Sequence, residues 1–480
     1  VIARGSCPNC GAPIEFSVGA SVAKVCEHCR TTVYRTDRGL EDLGKVAALA
    51  NVPALISTGD EGTLGGRHFE VKGRVQLDHG AGPWEEYYVA YDGGASWGFL
   101  AYAEGNWYAT AHAETQGGLP AHDALRVERD VEIPGVGSFR IAEVKTARVV
   151  SAEGELPERT PPGAVRRYAD LHGANDAFAT LDYGDGTGPV ELFVGRRFEE
   201  RDMQVTAVGP RSAEKVKLAG IRCPNCGGDV PKLSGERAER IGCPYCGAVS
   251  DIAAQRVIAR QDEARAEPPI PLGSRGTLAG VQYVAIAYVR RSAEFEGERF
   301  SWEELLLFSE GHGFRWLVKD ETTWLFVEPV NLAELDLREL PRAVGHRGQR
   351  FTLRNRSDAR VDYVLGEVYW KCELGETVRA ADYVRGRSVL SREESPGEVR
   401  WSRSEAIAWP IIAAAFGVSG GGPPAEFGSG GGGGGTPFRS LLVLLVILVI
   451  VIAIVSALDG GGGSYGGGVY GGSGYYYGGK

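Results

Sequence analysis

The chain has 480 residues, 43% of them hydrophobic and 24% charged, with a formal net charge of −10. That length exceeds one compact core and asks for about three folded units, and the acidic balance speaks against a surface built to neutralise phosphates, so nucleic acid is a poor candidate partner. Val1–Gly5 carries no charged n-region and no apolar h-region, so no secretory signal is expected and the body is placed in the cytoplasm.

A first cysteine ribbon occupies residues 1–36, where Cys7 and Cys10 are followed after fifteen residues by Cys26 and Cys29. Two C-x2-C knuckles at this spacing close on one tetrahedral ion, and a four-thiolate shell suits structural zinc, with iron as the chemical alternative. A dithiol redox pair is the competing reading, but it expects one C-x-x-C beside a βαβ pattern. Residues 37–57 form a connector with a short helical pattern at Leu43–Asn51. Residues 58–208 read as a β domain: Phe69, Val71, Gly73, Val75 and Leu77 alternate with Glu70, Lys72, Arg74 and Gln76, and Asp92-Gly93-Gly94 and Asp185-Gly186 mark turns.

The pattern then begins again. A second ribbon at 218–252 places Cys223 and Cys226 sixteen residues before Cys243 and Cys246. A connector at 253–268 carries helical pattern over Asp251–Gln261, and a second β domain spans 269–405. Each pentapeptide CPNCG, at Cys7 and at Cys223, thus opens one copy of a duplicated unit. Gly62-Thr63-Leu64 recurs as Gly276-Thr277-Leu278, Trp84-Glu85-Glu86 as Trp302-Glu303-Glu304, and Glu155 falls opposite Glu367. Trp97 and Trp107 are matched with Trp316 and Trp324.

Beyond the second copy, 419–437 is a glycine-rich linker. Leu441–Leu458 is apolar except for Ser456 and is long enough to cross a bilayer, so a transmembrane helix is expected over 438–459. Residues 460–480, nearly all glycine and tyrosine, read as a solvated tail.

The expected fold is therefore mainly β: two zinc ribbons, each followed by a small barrel- or sandwich-like domain, and one C-terminal membrane anchor. A cysteine ribbon followed by G-T-L-x-G, W-E-E before a strand, an aromatic pair and a later G-E-(L/V) resembles the bacterial family called domain of unknown function 4178, twice over and up to about residue 405. The resemblance implies an accessory role in an envelope-associated system.

No residue constellation announces a reaction. The histidines form no usable arrangement, and His68, His79 and His112 have no counterpart in the second copy. Gly94-Ala95-Ser96-Trp97-Gly98 matches G-x-S-x-G but lies in a turn between strands, without the following helix a nucleophile elbow needs. Gly39–Lys45 approaches a phosphate loop, yet Val46 stands where Ser or Thr is required. Glu85/Glu86 and Glu303/Glu304 read as surface charge or an anchoring hydrogen bond beside a buried tryptophan, the aromatic residues from Trp84 to Tyr108 as core, and Cys372 as a buried thiol. The leading functional expectation is a membrane-anchored adaptor or scaffold with two Zn2+ ions at Cys7, Cys10, Cys26, Cys29 and at Cys223, Cys226, Cys243, Cys246, and with protein partners at the membrane. The alternatives are an enzyme with a carboxylate site in the β domains, and nucleic-acid binding through the ribbons.

Overall fold

The computed structural model describes residues 3–419 except for 37–38, 46–54, 80–82, 116, 159–160, 162, 207–219, 253, 262–265, 296–297, 320–322 and 371. Two antiparallel barrels dominate it. The first is built from β1 (Arg67–Asp78), β2 (Pro83–Tyr91), β3 (Ser96–Ala103), β4 (Asn106–Ala113), β5 (Gly137–Leu156), β6 (Val165–Gly173), β7 (Ala177–Asp182) and β8 (Glu191–Glu199). The second repeats it as β9 (Val281–Phe295), β10 (Glu298–Ser309), β11 (Gly313–Lys319), β12 (Trp324–Pro329), β13 (Gln349–Val368), β14 (Thr377–Arg385), β15 (Ser388–Ser395) and β16 (Glu398–Ile407).

Each barrel consists of two four-stranded meanders joined at both edges. β1 to β4 pair in sequence, as do β5 to β8; β4 then pairs with β8 and β1 with β5, which closes the ring. The second barrel closes through β12–β16 and β9–β13. Closure leaves no open edge in either ring, so the sequence reading of barrel or sandwich resolves to barrel.

β5 and β13 are each 20 residues long and serve three neighbours in turn. β5 pairs with β6 over 139–148, bulges at Val149/Ser151 while crossing to β1, and ends beside the ribbon, Glu155 opposite Lys24. β13 repeats this course and ends on the second ribbon, Glu367 opposite Ile241. The ribbons are therefore continuous with the barrel sheets.

Both connectors depart from the helical expectation. Gly39–Lys45 and Arg256–Arg260 are strands that extend the ribbon sheets along Thr31–Thr36 and Ala248–Asp251; residues 46–51 lie outside the described residues. A helix of about ten residues is marginal by itself, and an open ribbon edge offers the backbone a better set of partners. Among the described residues the α-helix is α1 (Trp409–Phe416), with Pro410 in its first turn and Gly417 at φ 65 ending it. Ile412 and Phe416 bury against Tyr283, Leu305 and Leu317 on the outer face of the second barrel. The apolar segment 441–458 lies outside the described residues, and among the described residues no helix is long and apolar enough to cross a membrane.

The two units touch along β5 and β16. Val144 N donates to Gly397 O at 2.8 Å, and Lys145 lies between Glu143, at 2.9 Å, and Glu398 of the second barrel. Arg392 holds Glu128 through two bonds of 2.7 and 2.8 Å. Arg140 reaches the carbonyls of Leu332 and Leu335 at 3.0 and 2.6 Å, and Arg237 of the second ribbon pairs with Glu200.

Candidate functional site

All four cysteine knuckles have the same local build. The N–H four residues after the leading cysteine returns to its carbonyl, as Gly11 N to Cys7 O and Gly227 N to Cys223 O, both at 2.8 Å. Gly11, Gly227 and Gly247 take the left-handed conformation this requires, and Arg30, at φ 62, takes it in the Cys26–Cys29 knuckle. The geometry brings the sulfurs of Cys7, Cys10, Cys26 and Cys29, and those of Cys223, Cys226, Cys243 and Cys246, within 4.8 Å of one another. The closest pairs, Cys7–Cys29 and Cys10–Cys26, are 3.6 and 3.7 Å apart, and Cys223–Cys246 and Cys226–Cys243 are 3.6 and 3.8 Å apart. A tetrahedron with metal–sulfur bonds of about 2.3 Å has edges of about 3.8 Å, so each cluster fits one ion with no open position for substrate. Cys372 is buried apart from both clusters, with its thiol pushed well up by burial.

Glu155 and Glu367, which occupy matching places in the sequence, fasten each ribbon to its barrel. The Glu155 carboxylate accepts from Ser17 N at 2.8 Å, Ser17 Oγ at 2.7 Å and Val18 N at 3.2 Å. Glu367 accepts from Ser234 N at 2.9 Å and also from Leu233 N and Ser234 Oγ. In both units the preceding glycine makes the approach possible: Gly154 has φ 73 and Gly366 φ 83, and a Cβ would meet Lys72 O at 2.4 Å or Ile286 O at 2.3 Å. These carboxylates are spent on ribbon main chain, so a catalytic role for this pair is not what the geometry offers.

The paired glutamates of β2 and β10 divide by face, as adjacent strand residues must. Glu86 and Glu304 each accept from the indole N–H two residues earlier, Trp84 Nε1 at 3.3 Å and Trp302 Nε1 at 2.7 Å. Each also meets an arginine, Arg166 at 3.0 Å and Arg291 at 3.1 Å. Glu85 binds Arg74 and Gln76, both at 3.0 Å, while Glu303 pairs with Lys319. Burial raises the Glu304 carboxyl to about 7, against the pull of Arg291.

A cavity of about 390 Å³ fills the first barrel and continues past the β3–β4 hairpin to the second unit. Every second residue of β6 lines it: Arg166, Tyr168, Asp170 and His172. The alternate residues Ala169 and Leu171 point outward, under a cover that includes Leu125 and Ile133. The usual assignment of faces is thus reversed here, polar within and apolar without. Asp170 accepts from Thr180 Oγ1 at 2.7 Å, and burial next to Glu143 holds its carboxyl well above the usual range. Arg166 pairs with Glu86 and Asp182, and Arg197 with Asp176. Burial, helped by Arg197, lowers His172 to about 4; burial, helped by Lys145, lowers His79 to about 4. Both rings are therefore neutral near pH 7.

Sheet register identifies the equivalent interior of the second barrel. A row across β2, β3, β4 and β8 reads Glu86, Ala101, Tyr108, Arg197; the same row in the second barrel reads Glu304, Val318, Leu325, Ala406. Asp170 beside Thr180 corresponds to Asp382 beside Ser391, with Asp182 and Glu393 two residues further along. The register also corrects one sequence match. Tyr88 faces Phe99 and Leu306 faces Trp316, so Trp316 is the counterpart of Phe99, and Trp97 falls opposite Phe314. The hairpin after β2 is one residue longer than the hairpin after β10, and sequence spacing alone slipped at that point.

Two stretches, 57–200 and 271–408, match the model of the family described as domain of unknown function, DUF4178. The chain belongs to the DUF4178 family. The two matches cover both barrels, including Glu155 and Glu367, and leave the cysteine ribbons outside. No curated protein and no solved structure matches the chain.

Of the residues singled out in the sequence, the eight cysteines converge as expected, and G-x-S-x-G falls in the β2–β3 turn, where Ser96 Oγ meets Arg67. His68 pairs with Glu61 on the outside, while His112 stacks on Trp97 at 4.7 Å. The cavity group around Asp170 and His172 went unnoticed in the sequence. Its signal was the alternation Arg166, Tyr168, Asp170, His172, four polar residues at strand spacing, which without the fold reads as a solvated face.

Proposed function

We propose that this DUF4178 chain is a zinc-stabilised adaptor or scaffold of an envelope-associated system, anchored through residues 438–459 with its N-terminal body in the cytoplasm. The observation that carries this reading is the packing of two ribbon–barrel units into one body, each ribbon clamped by a glutamate and the barrels joined at Lys145 and Arg392. A rigid two-unit body on a glycine-rich leash presents two different surfaces at a fixed spacing, which suits holding partners and asks for no turnover. Zinc is the ion proposed for both thiolate clusters; its part is to fold the ribbons. The protein partners are expected at the membrane, and the ribbons, with balanced charge in the second, favour no nucleic acid.

The test is capture of the full chain from detergent-solubilised membranes after mild cross-linking, beside a chain ending at residue 420. A partner that co-purifies reproducibly with the first supports the adaptor, and its loss from the second locates recruitment at the membrane. No partner above background overturns it. One observation favours a second reading, an enzyme: the high-pKa Asp170 lies in a cavity that neutral His172 also lines. Were a turnover found, Asp170→Asn should abolish it with the fold intact; retained turnover would remove that reading.

A further inference from the structure

The duplication supplies a control for what this barrel needs in order to close. The second barrel is filled: Trp302, Trp316, Val318, Leu325, Val327 and Ala380 pack one core, and the space beside Trp316, Val327 and Glu393 is only about 50 Å³. In the first barrel the positions of Val318, Leu325 and Ala380 carry Ala101, Tyr108 and Tyr168, and the cavity is about 390 Å³. A hollow, polar interior is costly, because volume that side chains leave unpacked loses contacts and buried polar groups need partners. Closure does not require that cost, since the sister barrel closes without it.

The chemistry of the lining narrows the occupant. Most of its charged side chains are already matched: Arg166 with Glu86 and Asp182, Arg197 with Asp176, and Glu143 and Glu398 with Lys145. Hydrogen-bonding capacity is left on neutral groups. His172 Nδ1 and His79 Nδ1 are buried without a partner, and the Tyr108 hydroxyl makes no hydrogen bond among the described residues. Flat faces surround them: Trp84 beside His79 at 5.0 Å, and Phe178 against Tyr108 at 4.7 Å. The volume falls within the roughly 300–1,000 Å³ of small-molecule sites. Arg237 of the second ribbon and Arg400 of β16 complete the wall, so the site exists only with both units present.

We infer that the first barrel is a binding site for a compact uncharged ligand of nucleoside size, with an aromatic or heterocyclic face and both donor and acceptor groups. This goes beyond the adaptor reading and does not depend on it, since it holds whether or not a protein partner is captured.

The test uses the full chain in detergent with adenosine, guanosine, cytidine and uridine as probes, and their 5′-monophosphates as charged counterparts, read by ligand-observed NMR and calorimetry. At least one nucleoside should bind, more tightly than its monophosphate. The double change Ala101→Val with Tyr108→Leu, which installs the second barrel's residues, should weaken that binding at least tenfold without lowering the melting temperature. If the double variant folds poorly, His172→Phe, which keeps the ring and removes its nitrogens, should give the same loss. Absence of nucleoside binding, equal or tighter binding of the monophosphates, or binding unchanged in both folded variants would each overturn the inference.

Discussion

Replacing Glu155 by alanine isolates the bond between ribbon and barrel. The change removes a carboxylate that takes three hydrogen bonds from Ser17 and Val18 and leaves two main-chain N–H groups without their acceptor. A hydrogen bond to a charged acceptor contributes about 1.5–3 kcal/mol net, and an orphaned buried donor costs about 1–3 kcal/mol. Since these effects overlap and water enters the gap, about 3 kcal/mol at the joint is a reasonable sum, and that raises the population of the detached ribbon by about a hundredfold. Hydrogen exchange reads this directly. The amides of Ser17 and Val18 should exchange about a hundred times faster, while β6 and β7 keep their protection and both thiolate clusters keep their metal. Glu155→Gln retains one acceptor oxygen but turns an N–H towards a donor, so about 1 kcal/mol is expected. Unchanged exchange at Ser17 and Val18 in the alanine variant would show that the pairing of Glu155–Leu156 with Ala23–Lys24 alone holds the ribbon, and would refute the clamp.

Three further outcomes follow from the same physics. Cys7→Ser or Cys223→Ser should lower bound zinc from two ions per chain to one by metal analysis, unfolding that ribbon and sparing its barrel; two ions retained would disprove the four-thiolate site. Gly154→Ala should destabilise the chain by more than about 2 kcal/mol in urea melts, because the left-handed backbone and the Lys72 carbonyl both oppose a Cβ, whereas Gly66→Ala, at φ 81 with nothing near its Cβ, should cost about 1 kcal/mol. Asp382, which burial raises to about 8, binds its proton more tightly folded than unfolded, so its penalty is absent below about pH 4 and grows as pH rises to about 8. Asp382→Asn should therefore stabilise the chain at pH 8 by an amount on the order of a few kcal/mol and have little effect at pH 4; equal stability of the two proteins at pH 8 would show that Asp382 is not held protonated.

Much of this architecture was legible in the residues. Cysteine spacing reports chemistry that local backbone satisfies, so the ribbons could be read without the fold. The tandem Trp-x-Glu motifs marked equivalent strands, and their indole-to-carboxylate bond is intrastrand, hence visible at a separation of two residues. Glu155 and Glu367 were found as a matched pair, but their role was hidden, because the acceptor and its donors lie 138 residues apart between Glu155 and Ser17. Ring closure depends likewise on β1 meeting β5 and β4 meeting β8, pairings that no local pattern specifies. The connectors failed as helices because the ribbon edge, a tertiary partner, decided their state. The difference between the hollow and the filled barrel rests on substitutions such as Ala101 for Val318, which have meaning only once register shows which residues point inward.

The final barrel strand fixes how this molecule would bear a load. Whatever pulls on the chain beyond residue 419 acts first on α1 and then along β16, which is bonded on one side to β12 and on the other to β15. Tension along β16 must shear both rows of hydrogen bonds together, a stiffer arrangement than peeling one edge. At its far end lie Gly397 and Glu398, the contacts with Val144 and Lys145 of the first barrel. Force from beyond residue 419 would thus arrive at the seam between the units and at the wall of the cavity, while the cysteine ribbons stay outside its path.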